Sequence, residues 1–387
     1  MLKKIYWIFV VTLILFVALF FAFLPTVVDR NMNRLQPDPN PAISQQAKDL
    51  HVRLRIVDLH CDALLWQRDL LQRNELGHVN LPDMLDGNIS LQAFTIVSKF
   101  PFATKPIDVE DRLDLITPLA IAQRWPVKTW FSLLERTLYQ TNRLHEFAEK
   151  SSGKLRIITS RSDLETYFDE RKTNKEIAAG FLGIEGAQVL QGEVANVDVL
   201  YQAGVRMMAP THFFDTEMSG SAHGIERGGL TVVGRQMIKK MQQLGMVIDL
   251  AHASPKTIDE VLEIATGPVL VSHTGVKGVC DSPRNVSDAH LRGIAATGGV
   301  IGIGFWPQAT CGSDIESIVR SIRYTANLVG VDHVALGSDY DGAVIVPFKA
   351  AQMIYLTNAL LKEGFTEEEV AKIMGENAIR VLGTILK

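Results

Sequence analysis

The feature that most constrains this chain is a succession of short, β-rich apolar runs separated by stretches of helical character. Eight such runs fall at residues 55–60, 90–97, 180–184, 206–211, 246–251, 269–272, 299–305 and 333–337, and helix-like segments follow at 197–203, 234–244, 255–265 and 314–329. Alternation of this kind argues for βα units on a parallel sheet. Eight units suffice to close an α/β fold of the (β/α)8, TIM-like barrel type, which uses about 250 residues or more, so the 387 residues present do not require a second domain. A ninth run, 155–159, lies in the long insertion after the second strand and is expected to sit outside the barrel. Thr366 and Glu369 have capping-box spacing and open a helix near the end of the chain.

Most of the eight strands end in a metal-competent or titratable side chain, at the end of the barrel where enzymes of this architecture place their sites. The first ends in Asp58-Leu59-His60-Cys61-Asp62, which sets His60 and Asp62 at i and i+2, on one side of an extended chain. The third ends at Glu185, the fourth at His212, the fifth at His252, the sixth at His273 and the eighth at Asp339, followed by Tyr340-Asp341-Gly342. Singly, a histidine after an apolar strand is more often a hydrogen-bonded structural group, and a glutamate between glycines is often a turn residue. Together they would crowd unpaired charge into one desolvated barrel mouth, a cost that bound dications remove. Imidazole and carboxylate donors suit zinc, and the same set tolerates manganese or cobalt. With His60 and Asp62 on one ion, His252 and His273 on another and Glu185 between them, the expected centre is a carboxylate-bridged pair about 3.5 Å apart that activates a bridging hydroxide. No G-x-S-x-G elbow is present.

Ahead of the barrel, Lys3 and Lys4 precede an uncharged run over 5–24 that is followed by Pro25, Asp29 and Arg30. Twenty apolar residues in a helix cover about 30 Å, the thickness of a hydrocarbon core. The run exceeds the roughly 7–15 residues of a signal-peptide core and lacks a small-x-small cleavage site, so an uncleaved N-terminal transmembrane helix over 1–30 is expected. The paired lysines, with Tyr6 and Trp7, suit the cytoplasmic interface and put the catalytic body outside the cytoplasm; Arg30 and Arg34 on the far side count against that orientation. Residues 31–50, with Pro37, Pro39 and Pro41, read as a stiff linker, and 51–387 as the barrel domain. With 39 basic and 43 acidic side chains the chain carries no excess of positive charge, which argues against nucleic acid as a partner. Three cysteines, without a CxxC pair, make neither a disulfide framework nor a zinc knuckle.

These strand ends, with Asp281-Ser282-Pro283-Arg284-Asn285-Val286 and Gly375-Glu376-Asn377, resemble the membrane (renal) dipeptidase family, peptidase family M19, a branch of the amidohydrolase barrels. The resemblance runs from about Val57 to Leu382. It implies a metallo-dipeptidase with two zinc ions, the first held by His60 and Asp62, the second by His252 and His273, with Glu185 bridging. It further implies that His212 polarises the scissile carbonyl, that Arg284 holds the free carboxylate of the dipeptide through a planar bidentate guanidinium, and that Asp339 carries a proton from the attacking water to the leaving amine. Asp341, beside Gly342, is read as ordering the turn. Tolerance of a D-residue at the C-terminal position, some hydrolysis of β-lactam-type amides, a homodimer and a Cys280–Cys311 disulfide are also implied by the resemblance alone.

Two departures border the substrate's side chains. Gln188 stands where relatives often have histidine, and the loop over 213–229 is longer and glycine-rich. The insertion over 101–150, with Trp125, Trp130 and Phe131, is read as packing, as cover for the barrel mouth or as a subunit contact. Two rival readings stand beside the dipeptidase: another metal-dependent amidohydrolase acting on N-acyl amino acids or cyclic amides, and a catalytically silent, membrane-tethered binding protein on an enzyme fold.

Overall fold

The computed structural model describes residues 2–101 and 107–387, so residues 102–106 of the insertion lie outside the described residues. The eight expected strands are present as β1 (Ile56–Asp58), β2 (Ile89–Val97), β3 (Ala178–Glu185), β4 (Val205–Met208), β5 (Val247–Ile248), β6 (Leu270–Thr274), β7 (Val300–Ile303) and β8 (Val334–Leu336). They pair in parallel with their neighbours in sequence, and β8 returns to β1 through Leu336 opposite Asp58. A parallel bridge from Asp249 to Leu270 joins the end of β5 to β6 and closes the curled sheet into a ring. The ninth run, Leu155–Ile157, pairs only with the first residues of β3 and stays off the ring, as its position in the insertion implied.

Side chains alternate across each strand. Val57, Leu91, Ala179, Phe181, Met207, Val247, Leu270, Val300 and Ala335 form one buried cluster that fills the barrel interior. Ala378, Val381 and Leu382, from the C-terminal helix Asn377–Ile385, and Leu386 just after it join that cluster and close the barrel at the end opposite the strand termini. The outward neighbours, among them Ile56, Ile89, Leu182, Ile184, Val205, Met208, Val271, Ile301 and Leu336, belong to the larger cluster shared with the surrounding helices.

The N-terminal helix runs from Leu2 to Met32 and carries Pro25 inside it rather than ending there. Proline removes one N–H and one intrahelical hydrogen bond at a cost of about 3 kcal/mol; the helix nevertheless continues through Pro25, which is buried, as are Asp29 and Asn33 beyond it. Residues Lys3–Met32 are long and apolar enough to cross a membrane, with a mean hydropathy of 2.9 over the best window. The stiff linker read over 31–50 is docked on the body instead: Arg34–Leu35 pairs in parallel with Ile345–Val346, and Ser44 caps the helix Gln45–His51, whose Ala47, Leu50 and His51 are buried. Backbone pairing and apolar burial, which the proline spacing did not reveal, hold that segment down. In the insertion, Trp125 packs with Leu65, Trp66, Ile116 and Leu119, with Trp130 against the same cluster, so most of the aromatic group is packing, while Phe131 is exposed.

Candidate active site

Every site residue expected from the sequence sits in the barrel mouth except that Arg284 comes from the loop after β6, and all are buried. The local causes differ. Glu185 ends β3 in the inward register of Ala179 and Phe181, and Gly186 follows at φ 95°, a left-handed conformation that turns the chain sharply after the carboxylate. His273 lies where the β6–β7 register shifts between Val271 and Thr274, an irregularity of the kind that re-aims a side chain beside a site. His252 and Asp339 adopt φ 62° and 63°, strained for residues with a Cβ, and both present their side chains to the mouth.

Glu185 is the hub. Its Oε1 lies 2.8 Å from His252 Nε2, 3.2 Å from His273 Nε2 and 3.6 Å from His60 Nε2, while Oε2 lies 3.1 Å from His212 Nε2. On the far side of His60, Nε2 is 3.7 Å from Asp62 and 3.9 Å from Asp339. Three overlapping groups of donors result: His60, Glu185 and His273; Glu185, His212 and His252; His60, Asp62 and Asp339. The back of the cluster is held by hydroxyls. Thr95 donates to Asp62 at 2.6 Å, and Ser272 Oγ lies 3.1 Å from His60 Nδ1 and 3.0 Å from His273 Nδ1, so the Nε2 atoms point inward.

The electrostatics of the cluster suit a bound metal cation. Burial pushes the Glu185 carboxyl well above the usual carboxylate range despite the pull of His60, and burial lifts Asp339 to about 8. Burial would lower His60, but Glu185, Asp62 and Asp339 outweigh it and raise the imidazole to about 10. His212, His252 and His273 are driven well below the ordinary histidine value by burial and by neighbouring positive groups, which leaves them neutral and able to donate a lone pair to a metal. Nε2 of His60 is fully buried and has no hydrogen-bond partner among the described residues. An orphaned imidazole nitrogen amid three carboxylates is what a cation site requires.

Arg284 is buried, with Nη2 donating to the His273 carbonyl at 2.9 Å and lying 2.8 Å from His273 Nε2. Phe100 and Phe213 stack edge-on 5.0 Å apart beside His212 and border the mouth. Gln188, at the first departure from the family pattern, donates to Ser98 and to the Glu185 carbonyl and so packs behind Glu185. Cys280 and Cys311 are bonded, with Cα atoms 5.3 Å apart, and tie the loop that carries Arg284 to the segment after β7. Cys61 is a free, buried thiol.

Sequence reasoning missed several residues that hold this arrangement. Asp58 accepts from the Ser338 amide at 2.8 Å, the Ser338 hydroxyl at 2.6 Å and Gln92 at 2.9 Å, and so ties the first strand end to the eighth. Asp249 accepts from the amides of Ala251 and Ser272 and takes over where β5 stops. His223, from the glycine-rich loop, places Nε2 3.1 Å from Nδ1 of His252. Asp58 and Asp249 each stand at the end of an apolar run, the one signal that could have marked them.

The family model of membrane dipeptidases, peptidase family M19, matches residues 44–387. A protein encoded in the pqqA 5′ region of Klebsiella pneumoniae is 33% identical over 258 residues, 62% of this chain and 93% of that one. An uncharacterized dipeptidase of Schizosaccharomyces pombe is 32% identical over 216 residues, 53% of each chain. Among solved structures, the probable dipeptidase PvdM of Pseudomonas aeruginosa superposes with a TM-score of 0.72 at 18% identity, covering 88% of this chain and 98% of its own. A metallopeptidase of Rhodobacter sphaeroides, liganded with a phosphinate mimic of L-Ala-D-Ala, gives a TM-score of 0.69 at 21% identity, covering 86% of this chain and 99% of its own. At these identities the superpositions establish the barrel fold.

Proposed function

Since the chain belongs to the membrane dipeptidase family, peptidase family M19, and is a peptide hydrolase of the metallopeptidase type, we propose that it cleaves dipeptides with two zinc ions at the centre around Glu185. His60 and Asp62 would hold the first ion, His252 and His273 the second, and Glu185 both. Bound there, the ions would lower the pKa of a water toward 7 and polarise the scissile carbonyl.

The remaining steps belong to side chains. Arg284 receives the free carboxylate of the dipeptide, which orients the peptide bond and selects against longer chains. His212, kept neutral by burial, donates to the carbonyl oxygen as charge gathers on it. Asp339, whose buried carboxyl is lifted to about 8, can hold a proton near neutrality and pass it to the leaving amine. A D-residue at the C-terminal position is proposed to be accepted, in line with the ligand of the Rhodobacter sphaeroides relative. The N-terminal helix is proposed to anchor the chain in a membrane with the body outside the cytoplasm, a reading that Lys3, Lys4 and the Cys280–Cys311 bond support.

The observation that carries the reading is the convergence of three imidazoles and Glu185 within hydrogen-bonding range in a buried mouth. It is tested by amino-acid release from L,L and L,D dipeptides by the detergent-solubilised full chain, after chelation and again after zinc is restored. Zinc-dependent cleavage with tripeptides and N-acetylated dipeptides spared is the expected result. A protein that binds zinc yet spares every dipeptide would refute it.

A further inference from the structure

The turn that carries Asp339 is strained and is held partly by the N-terminal helix. Asp339, Asp341 and Ala343 adopt φ of 63°, 63° and 60°, three left-handed residues in alternation, none of them glycine. Such backbone persists only where outside contacts fix it. Gly342, between them, is needed for a different reason: a Cβ there would lie 2.0 Å from Oδ1 of Asp339.

The contacts that fix the turn can be followed outward. Trp66 Nε1 donates to the Asp341 carbonyl at 2.7 Å, and the His78 amide donates to the Asp341 carboxylate at 2.7 Å. His78 Nδ1 accepts from the Asp341 amide at 2.9 Å, which puts the ring proton on Nε2, 3.2 Å from the carbonyl of Arg34. Arg68 bridges the same carboxylate to the foot of the helix, 2.9 Å from Asp341 and 3.0 Å from Asp29. Asn33 donates to Asp29 at 2.8 Å and accepts from the Ala343 amide at 3.0 Å. Asp29 and Asn33 are both buried, although the apolar part of the helix is exposed. Beyond the turn, the amides of Arg34 and Gln36 donate to Val344 and Val346.

We propose that the foot of the N-terminal helix, through Asp29, Asn33 and Arg34, positions the Asp339–Ala343 turn, so that turnover depends on the anchor being docked on the barrel rim. The proposal rests on the role given above to Asp339. Asp29 and Asn33 are positioning residues; neither touches the site. Loss of the Asp29 charge leaves the buried Arg68 guanidinium with one carboxylate instead of two and frees it to pull Asp341 out of register.

The test uses the full chain in lipid nanodiscs, with Asp29→Asn, Asp29→Glu and Asn33→Ala, read by kcat and KM on a dipeptide, bound zinc, and hydrogen exchange over 339–346. Asp29→Asn is expected to lower kcat about tenfold, with KM and zinc within about twofold of wild type. Asp29→Glu should recover most of that loss, and Asn33→Ala, which removes hydrogen bonds but no charge, should cost about threefold and speed exchange at Ala343. Wild-type kcat in both Asp29→Asn and Asn33→Ala overturns the proposal and leaves the dipeptidase reading intact. Zinc and kcat lost together, with no recovery in Asp29→Glu, also overturns it by marking a merely structural role. Wild-type protein that cleaves no dipeptide in the same nanodiscs overturns both readings.

Discussion

Oε1 of Glu185 lies 2.8 Å from Nε2 of His252, and the same oxygen reaches His273 at 3.2 Å and His60 at 3.6 Å. One carboxylate thus touches donors of both proposed ion positions. Glu185→Gln keeps the shape and removes the charge. It is expected to drop bound zinc from two ions toward one and to lower kcat about 10²–10³-fold, the scale of losing one preorganised electrostatic group. Elemental analysis beside steady-state kinetics decides it: a variant with full zinc and full activity takes Glu185 out of the centre.

Arg284 is a buried guanidinium whose burial lowers its pKa while Glu185 and Asp339 pull it back up. Its proposed work is ground-state and transition-state recognition of one carboxylate. Arg284→Ala should raise KM for dipeptides about a hundredfold, from the loss of charge-assisted hydrogen bonds worth about 1.5–3 kcal/mol. Arg284→Lys should recover only part, since an ammonium cannot bind bidentately. Comparing dipeptides with their C-terminal amides checks the assignment. A variant that still prefers the free acid contradicts it.

In chelated protein the folded site holds protons that the unfolded chain gives up. Asp339 titrates at about 8 and His60 at about 10 when folded, above their unfolded values of about 3.9 and 6.5. Their stabilising contribution is complete below those unfolded values and is lost as pH rises through about 8 and then about 10. His212, His252 and His273 are neutral in both states above about pH 7 and add no slope there. The Tm of chelated protein is therefore expected to fall from about pH 7 to 9, and zinc should raise Tm and flatten the dependence by replacing protons. Calorimetry at fixed ionic strength that shows Tm rising across this window would refute the charge arrangement.

The Cys280–Cys311 bond spans 31 residues, and Asn285, next to Arg284, donates from its side chain to the carbonyls of Cys280 and Ala309. Replacing both cysteines with serine should cost about 3–4 kcal/mol by the loop-entropy estimate. KM should rise as well, because the loop that aims Arg284 loses its tie. Unchanged Tm and unchanged KM after reduction would show that the bond holds nothing.

The parts of this molecule legible in the sequence are those written locally. An apolar run that stops at a polar group marks a strand end, and His60, Glu185, His212, His252, His273 and Asp339 all carried that mark. Strand lengths were less legible: β5 is only Val247–Ile248, where 246–251 was expected, because the Asp249 side chain replaces ladder hydrogen bonds. What the sequence hid is the set of contacts between distant segments. Asp58 meets Ser338, Asp341 meets His78, and Asn33 meets Ala343 across separations of 280, 263 and 310 residues. Nothing in the pattern around Asn33 or Arg68 distinguishes a buried clamp from a solvated loop. The helix that passes through Pro25 was hidden for the same reason, since its last turns are held by the body.

The C-terminal helix, with Ala378, Val381 and Leu382, and Leu386 just after it fill the far end of the barrel, so that among the described residues the site is approached from the side of the strand ends. On the proposed dipeptidase reading, substrate would enter, and both amino acids would leave, by the opening on that side. In the role proposed for Arg284, a product held there by its carboxylate would stand in the path of the next arrival, so that traffic through that doorway, as well as bond cleavage, would set the pace at which the site could be reused.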